Sequence, residues 1–454
     1  MTLMPPWSFF LATFGCKVNQ YESQALREAW SALGGMECEH PEEAGWIVLN
    51  TCAVTSGAVS ETRQTARKLH RLAPQARILI TGCSATAARE ACAGLPGVVG
   101  VIPQAEKERL LHGPEGMVSP SAPPSDGQLF PAFSITGFKR ARPVIKVQDG
   151  CTHRCTYCIV PLMRGPSRSR EPEAVIEEAR RLLRAGHREI MLSGVNLRQY
   201  AVPGEDGKDF WDLLARLDAA LADEWTGRAR LRLSSLDPAQ LNPKALDTLA
   251  ATRMMCPHLH LSLQSGSAEV LRRMGRGHYS PASVLDFVRA LAGLWPLFGL
   301  GADILMGFPT ETEAHTAETL NVVDQLPLSY AHVFPFSPRP GTPAASLKDL
   351  PGPVKQARAA AVRQRVANKQ AAFLEGLRHL TLLHVAPDIS PQDDPLAQDT
   401  ASTQGFAGIK GVNEFYAACL VEGNMPKDSG HELLPVRPVA ISNKRLITRP
   451  ILQA

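Results

Sequence analysis

Between residues 142 and 338 the chain repeats one small pattern six times, and few folds can use it. A short apolar run ends in glycine, serine, an amide or an acid, and a helix-compatible spacer precedes the next run. The runs are "RPVIKVQDG", "EIMLSGVN", "RLRLSSLDP", "HLHLSLQSG", "GLGADILMGFP" and "YAHVFPFSP". Strands alternating with helical spacers pair in parallel, so six of them predict an α/β fold with an incomplete βα barrel. In such barrels the chemistry collects at the carboxyl ends of the strands. That edge carries a cysteine-rich loop after the first run, then Gly194, Asn196, Ser234, Asp237, Gln264, Asp303 and Gly307. It is expected to be a ligand-binding face.

The same alternation occupies residues 7–112. "SFFLATF" precedes Gly15-Cys16, "WIVLN" precedes Thr51-Cys52 and "RILIT" precedes Gly82-Cys83, with helical stretches at 22–33 and 60–72. An open parallel sheet binds ligands along the edge where its strands end. Cys16, Cys52 and Cys83 stand just past such ends, so topology gathers three cysteines that are far apart in sequence. Strand-end cysteines are also ordinary core residues, and both readings stand at this point. Cys38 and Cys92 lack a strand-end position and read as structural; Cys256 and Cys419 have no partner by spacing. Residues 113–136 are rich in proline, serine and glycine and read as a linker between this domain and a barrel domain at 137–375. A basic, alanine-rich helix then leads into residues 376–454. There a polar stretch at 388–405 precedes short alternating runs that fit a small β-barrel.

Inside "QDGCTHRCTYCIVPLMRGPSRSR", residues 148–170, Cys151, Cys155 and Cys158 stand at C-x3-C-x2-C spacing. Four thiolates would make a closed site, as in structural zinc and most iron–sulfur centres. Three leave one metal position open for a small molecule, which a [4Fe-4S] cluster with one free iron provides. Zinc with a fourth ligand such as His153 is the competing reading, although His153 lies inside the tight loop. Ten cysteines, with no basic residue before Lys17 to mark an export signal, favour metal or redox use over disulfides. The 454 residues imply two or three domains, and 44% apolar with 20% charged residues implies a globular chain. No apolar run reaches the length of a membrane span. A net charge of +4 confines any nucleic-acid surface to a local patch. A cytoplasmic, metal-bearing enzyme is expected.

The C-x3-C-x-aromatic-C loop opening a six-strand βα series resembles the radical S-adenosylmethionine superfamily. An upstream domain with Gly-Cys-Lys-Val-Asn-Gln at 15–20, Asn-Thr-Cys at 50–52 and Thr-Gly-Cys at 81–83 resembles its methylthiotransferases. "TFGCKVNQYES", "VIKVQDGC" and "HVFPFSPRPGTPAA" look most like the branch acting on threonylcarbamoyladenosine in tRNA. The sister branch acting on isopentenyladenosine typically has Gln-Met-Asn after the first cysteine, and the ribosomal-protein branch Pro-Lys-Asn. The resemblance implies an N-terminal open parallel α/β sheet domain, a central partial (βα)6 barrel and a small, divergent C-terminal β-barrel of the RNA-gripping TRAM type. Cys151, Cys155 and Cys158 would hold a radical-generating [4Fe-4S] cluster that chelates S-adenosylmethionine. Cys16, Cys52 and Cys83 would hold an auxiliary [4Fe-4S] cluster that carries the sulfur to be methylated and delivered. The reaction implied adds a methylthio group to C2 of N6-threonylcarbamoyladenosine at position 37 of tRNA. Isopentenyladenosine or a ribosomal-protein aspartate is the alternative substrate. The C2–H bond of adenine is not acidic, so a radical must remove the hydrogen and a sulfur donor must sit within contact distance. The two clusters are therefore expected to face each other across the barrel mouth.

The resemblance also assigns cofactor contacts. Gly194 and Asn196 match the family's position for the methionine end of the cofactor, against a plain strand-end turn. Ser234, Gln264 and Asp303 share that edge, and Tyr157 is the aromatic of the cysteine loop. Asp237 stands where the family usually has glutamate, shorter by one C–C bond or about 1.5 Å, which leaves its contact open. Thr310 stands where relatives commonly have glycine. Partners implied are tRNA, a flavodoxin- or ferredoxin-like electron donor and a sulfur donor of unspecified identity, with no membrane. Arg63, Arg67, Lys68 and Arg71, Arg164, Arg168 and Arg170, and Arg272, Arg273 and Arg276 are candidates for tRNA phosphates or solvated faces. Phe406, Phe415 and Tyr416 would stack bases or, more in keeping with their setting, fill a core.

Overall fold

The computed structural model describes residues 7–53, 56–114, 130–388, 408–423 and 432–451. Most of the expected linker, the polar stretch after residue 388 and Phe406 lie outside them. The N-terminal sheet is formed by β1 (Trp7–Thr13), β2 (Gly35–Glu37), β3 (Trp46–Thr51), β4 (Arg77–Gly82) and β5 (Val98–Pro103). All are parallel, in the order β2-β1-β3-β4-β5. Helices cover both faces, so β3 is buried along its whole length. Neither β2 nor β5 was expected: one has only three residues, and Gly100 interrupts the other. The first helix starts at Lys17 rather than 22: Val18 and Tyr21 already belong to its buried face, but the buried Asn19, Glu22 and Ser23 among them mask the apolar stripe.

The barrel comprises β6 (Val144–Asp149), a short antiparallel β7 (Arg168–Ser169), β8 (Glu189–Gly194), β9 (Arg230–Leu233), β10 (Ser235–Leu236), β11 (His258–Gln264), β12 (Gly299–Met306) and β13 (Tyr330–Pro335). They form two four-stranded sheets, β7-β6-β8-β9 and β10-β11-β12-β13, parallel apart from β7. Ser234 interrupts the third of the six expected runs. Leu259, Leu261 and Leu263 of β11 are fully buried outward, while His258 and His260 alternate inward. The inward faces bear Glu189, Arg230, Arg232, His260, Asp303, Tyr330 and His332, so the lumen is polar. Barrels that need only stability fill that space with branched aliphatics.

The last five strands are β14 (Leu383–Pro387), β15 (Gly408–Asn413), β16 (Ala418–Glu422), β17 (Leu434–Ser442) and β18 (Arg445–Pro450). They close a barrel in the order β14-β15-β16-β18-β17. This unit docks against the amino ends of the central strands. Arg230 Nη1 donates to His384 O at 2.8 Å, and Arg232 Nη2 donates to Asn413 O at 2.9 Å. Glu189 neutralises both arginines at 2.6 and 2.7 Å. Tyr416 enters the base of the lumen, 4.7 Å from the His258 ring and 5.0 Å from the Arg232 guanidinium. Tyr416 and Phe415 therefore pack inside the molecule and do not present stacking faces to RNA.

Candidate active site

Because β1, β3 and β4 are adjacent, their carboxyl ends bring Cys16, Cys52 and Cys83 to one place. Cys16 is the residue before helix Lys17–Ala32, and Cys83 opens helix Cys83–Ala87. A Cβ on Gly15 would meet Cys52 Cβ at 2.4 Å and its Sγ at 2.8 Å, and Gly15 has φ of +90°. Only glycine lets the first loop close onto Cys52. Burial raises the Cys83 thiol, and Arg164 and Lys107 pull it back.

The second triplet is folded by backbone bonds: Gly165 O accepts from Cys151 N at 2.9 Å and Cys155 O from Cys158 N at 3.0 Å. Gly150, at φ +72°, allows this turn; a Cβ there would lie 1.8 Å from Pro166 O. Burial pushes the Cys158 thiol up to about 12 and raises Cys155, which Arg276 partly offsets. Arg276 Nη1 lies 3.8 Å from Cys155 Sγ, while its Nη2 donates to Asp237 at 3.0 Å. Asn196 Nδ2 lies 3.7 Å from Cys151 Sγ, and Asn196 N donates to Gln148 Oε1 at 2.8 Å. All six thiols are free of disulfides. Each triplet mixes buried and accessible sulfurs with cations beside them, a donor set that fits an iron–sulfur centre with one open iron. Ligation requires thiolates, so filling either site expels protons.

His153 does not complete the second triplet as a fourth zinc ligand. Its Nε2 lies 2.6 Å from Arg198 Nη1 and its ring packs on His278 at 4.6 Å. The Tyr157 ring packs with Phe308 and Phe336 and supports the loop from beneath. Gly194 ends β8 with Leu197 and Gln148 too close for a Cβ. Ser234 is buried, and its Oγ has no partner among the described residues. Gln264 sits at a register break in β11 with φ of +61°, at the rim. Asp303 departs from expectation: it lies three residues before the end of β12, inside the lumen, bonded to His260 Nε2 at 3.1 Å. Asp237 caps the turn at Pro238–Gln240 and is held below the usual carboxylate range; burial is outweighed by Arg276, the Ala239 N–H and His278.

One cluster of buried charge, which periodicity did not reveal, joins the two triplets. Glu22 accepts from Lys107 at 2.5 Å, Lys146 at 3.0 Å and Arg164 at 3.0 Å. Asp149 accepts from Lys146 at 3.0 Å and Arg164 at 2.9 Å, and Arg164 also donates to Asn19 Oδ1 at 2.8 Å. Arg164 follows the Cys151–Cys158 loop, yet its charge acts on Cys16 and Cys83. From the far side of the mouth, Arg339 donates to Ala53 O beside Cys52. Three expected phosphate ligands are thereby corrected. Arg164, Arg170 (paired with Glu178) and Arg276 are buried and satisfied within the protein. Arg63, Arg67, Lys68 and Arg71 are exposed along helix Ser56–Leu72. The signal for the missed cluster was a charge at a core position: Lys146 inside "VIKVQD" and Glu22 on the buried stripe of its helix.

Two family patterns match the chain: the radical SAM superfamily over residues 145–323 and uncharacterized protein family UPF0004 over residues 8–112. The threonylcarbamoyladenosine tRNA methylthiotransferase MtaB of Bacillus subtilis (strain 168) is 35% identical over 347 residues, covering 74% of this chain and 75% of that protein. The tRNA-2-methylthio-N(6)-dimethylallyladenosine synthase of Geobacillus kaustophilus (strain HTA426) is 32% identical, covering 81% and 71%. Among solved structures, the radical S-adenosylmethionine methyltransferase TsrM from Kitasatospora setae shares the fold. Its TM-score is 0.56 at 16% identity, over 74% of this chain and 75% of that one. No helix among the described residues is long and apolar enough to cross a membrane. With the two cysteine triplets on adjoining strand edges, these similarities establish that the chain belongs to the radical S-adenosylmethionine tRNA methylthiotransferases, in their threonylcarbamoyladenosine branch.

Proposed function

We propose that the protein adds a methylthio group to C2 of N6-threonylcarbamoyladenosine beside the tRNA anticodon. The observation that carries this reading is the bridge between the two triplets, in which Arg164, just past one cysteine loop, bonds Asn19 and Glu22 on the helix that begins after Cys16. Cys151, Cys155 and Cys158 would hold one [4Fe-4S] cluster with S-adenosylmethionine, and Cys16, Cys52 and Cys83 the other. When bound, these groups supply the radical that takes hydrogen from carbon and the sulfur that replaces it. The chain's own residues hold the parts in register. Arg276 keeps positive charge against Cys155, Asn196 aims its amide at Cys151, and Gly194 lets Gln148 and Leu197 close on the strand end that positions Asn196. Tyr157 supports the loop, Gln264 contacts the cofactor from the rim, and Ser234 lies enclosed beneath it. The exposed basic row on helix Ser56–Leu72 offers charge for tRNA phosphates. The medium is cytoplasmic, with a flavodoxin- or ferredoxin-like electron donor and a separate sulfur source.

The test is anaerobic incubation of the reconstituted enzyme with S-adenosylmethionine, reductant and tRNA bearing threonylcarbamoyladenosine, followed by nucleoside mass spectrometry. A gain of one methylthio group on that nucleoside is expected. Product on isopentenyladenosine alone would move the protein to the sister branch. Replacing Cys16, Cys52 and Cys83 together by alanine is expected to halve the bound iron; unchanged iron would remove the second cluster.

A further inference from the structure

The lumen below the two cysteine triplets holds a polar group that neither iron–sulfur site uses. Register places Asp303 of β12 beside His332 of β13, and His260 of β11 binds Asp303 at 3.1 Å. Donor atoms of His260, Asp303 and His332 all lie within 4.8 Å of one another. Lys17, the residue after Cys16, faces this group. Its charge acts on His332 and Asp303, and its Nζ lies 5.8 Å from the Tyr416 ring centre. Two residues further along β13, on the same face as His332, Phe334 is 47% exposed, an uncommon exposure for a phenylalanine inside a barrel.

Three observations say what this space accepts. Lys17 is half-buried, yet among the described residues it makes no ion pair within salt-bridge distance. It occupies the first turn of helix Lys17–Ala32, where the macrodipole disfavours a cation and no acidic residue compensates. Arg142 and Arg232 lie against the same Tyr416 ring as Lys17, at 5.8 and 5.0 Å, and Glu189 is already committed to Arg230 and Arg232, so the spot suits an anion better than a metal cation despite its histidines. Asp303, by contrast, accepts hydrogen bonds only. A ligand that satisfies the whole group therefore carries a carboxylate for Lys17, an N–H or hydroxyl for Asp303, and a flat ring for Phe334.

We infer that Lys17, Asp303, His332 and Phe334 form the specificity pocket for the threonylcarbamoyl arm, with Lys17 pairing its carboxylate and Phe334 stacking on the adenine. This inference rests on the proposed function and deepens it. The arm bears a carboxylate, a hydroxyl and a urea N–H; an isopentenyl arm bears none and would leave Lys17 half-buried without an anion. The ring centres of His332 and Phe334 are 6.4 Å apart, a spacing that lets the base lie near the rim while its arm descends into the lumen.

The test measures binding of a labelled anticodon stem-loop, with and without the threonylcarbamoyl group, to the full-length holoenzyme by fluorescence anisotropy. The wild type is expected to prefer the modified loop by about tenfold or more, the scale of one charge-assisted hydrogen bond. Lys17→Met is expected to erase most of that preference and Lys17→Arg to retain it. Phe334→Ala is expected to weaken both loops alike. Iron content checks that the change beside Cys16 leaves both clusters in place; if it does not, His332→Leu, on a strand that carries no cluster cysteine, carries the same test of preference. Preference unchanged in both Lys17→Met and His332→Leu would overturn the pocket while product formation kept the function. A wild type that forms product without preferring the modified loop would also overturn it. Absence of product from the wild type would instead sink the proposed function.

Discussion

Thr310 shows how much one backbone angle says. Its φ is +74°, a region where a β-branched side chain crowds its own backbone at a cost of about 1–2 kcal/mol. What holds it there is Arg273, whose Nη1 donates to the Thr310 hydroxyl at 2.7 Å and to its carbonyl at 3.1 Å. Asparagine tolerates this angle and keeps an acceptor for Arg273. Thr310→Asn is therefore expected to stabilise the protein by about 0.5–1 kcal/mol. Thr310→Val keeps the crowding and loses the hydroxyl bond, so it should destabilise by about 1 kcal/mol. Thermal melting of the pair checks both signs, and a shift in the same direction for both would refute the account. Legibility at this scale was uneven. The six cysteines were readable because spacing and strand ends constrain them. Asp303 was misplaced by three residues because sequence gives no depth within a barrel, and Arg164 was taken for a surface cation because "MRGPSRSR" looks basic without its buried acids.

At the scale of elements, helix Lys17–Ala32 and β6 are bound through Glu22 and Asp149, two carboxylates against Lys107, Lys146 and Arg164. Burial alone would raise Glu22, but Arg164, Lys107 and Lys146 outweigh it and hold it well below the usual carboxylate range. Removing one charge from such a group leaves the others unpaired, so Glu22→Gln is expected to cost about 3–5 kcal/mol in urea unfolding. A loss below about 1 kcal/mol would mean that apolar packing, not charge, joins the domains. The pH dependence follows with a definite sign. Asp149 is lowered from 3.8 to about 2; burial opposes this, and Lys146 and Arg164 bring it about. Its contribution, like that of Glu22, is fully present above the unfolded carboxylate range and is lost as pH falls toward 2. Melting of the iron-free protein should hold nearly level from pH 7 to about 5 and fall below about 4, less so in a Glu22→Gln, Asp149→Asn double variant. The strands themselves were legible, since a buried parallel sheet needs apolar runs. These charges were not, because a lysine within such a run is indistinguishable from a strand that faces solvent.

For the whole molecule, the C-terminal barrel faces two ways. Its turn at 413–416 is committed inward, to Arg232 and the base of the lumen, so any hold on RNA belongs to its outer strands. On those strands Arg437 of β17 stands directly opposite Arg449 of β18, both exposed, with Lys444 and Arg445 at the connecting turn. Like charges paired across strands destabilise a sheet by about 0.2–1 kcal/mol. Among the described residues the acid paired with Arg449 is Glu422, at 3.9 Å and so at the limit of an ion pair, which relieves the strain only in part. A phosphate between the two guanidiniums would relieve it fully. The expected outcome is opposite for stability and binding. Arg437→Ala with Arg449→Ala should leave melting unchanged or slightly raised, while tRNA binds more weakly and the slope of log affinity against log salt falls by about 0.7–0.9, the share of one phosphate. Unchanged slope with raised stability would show that the pair is only a strained surface, and would leave the helix Ser56–Leu72 as the phosphate-binding face.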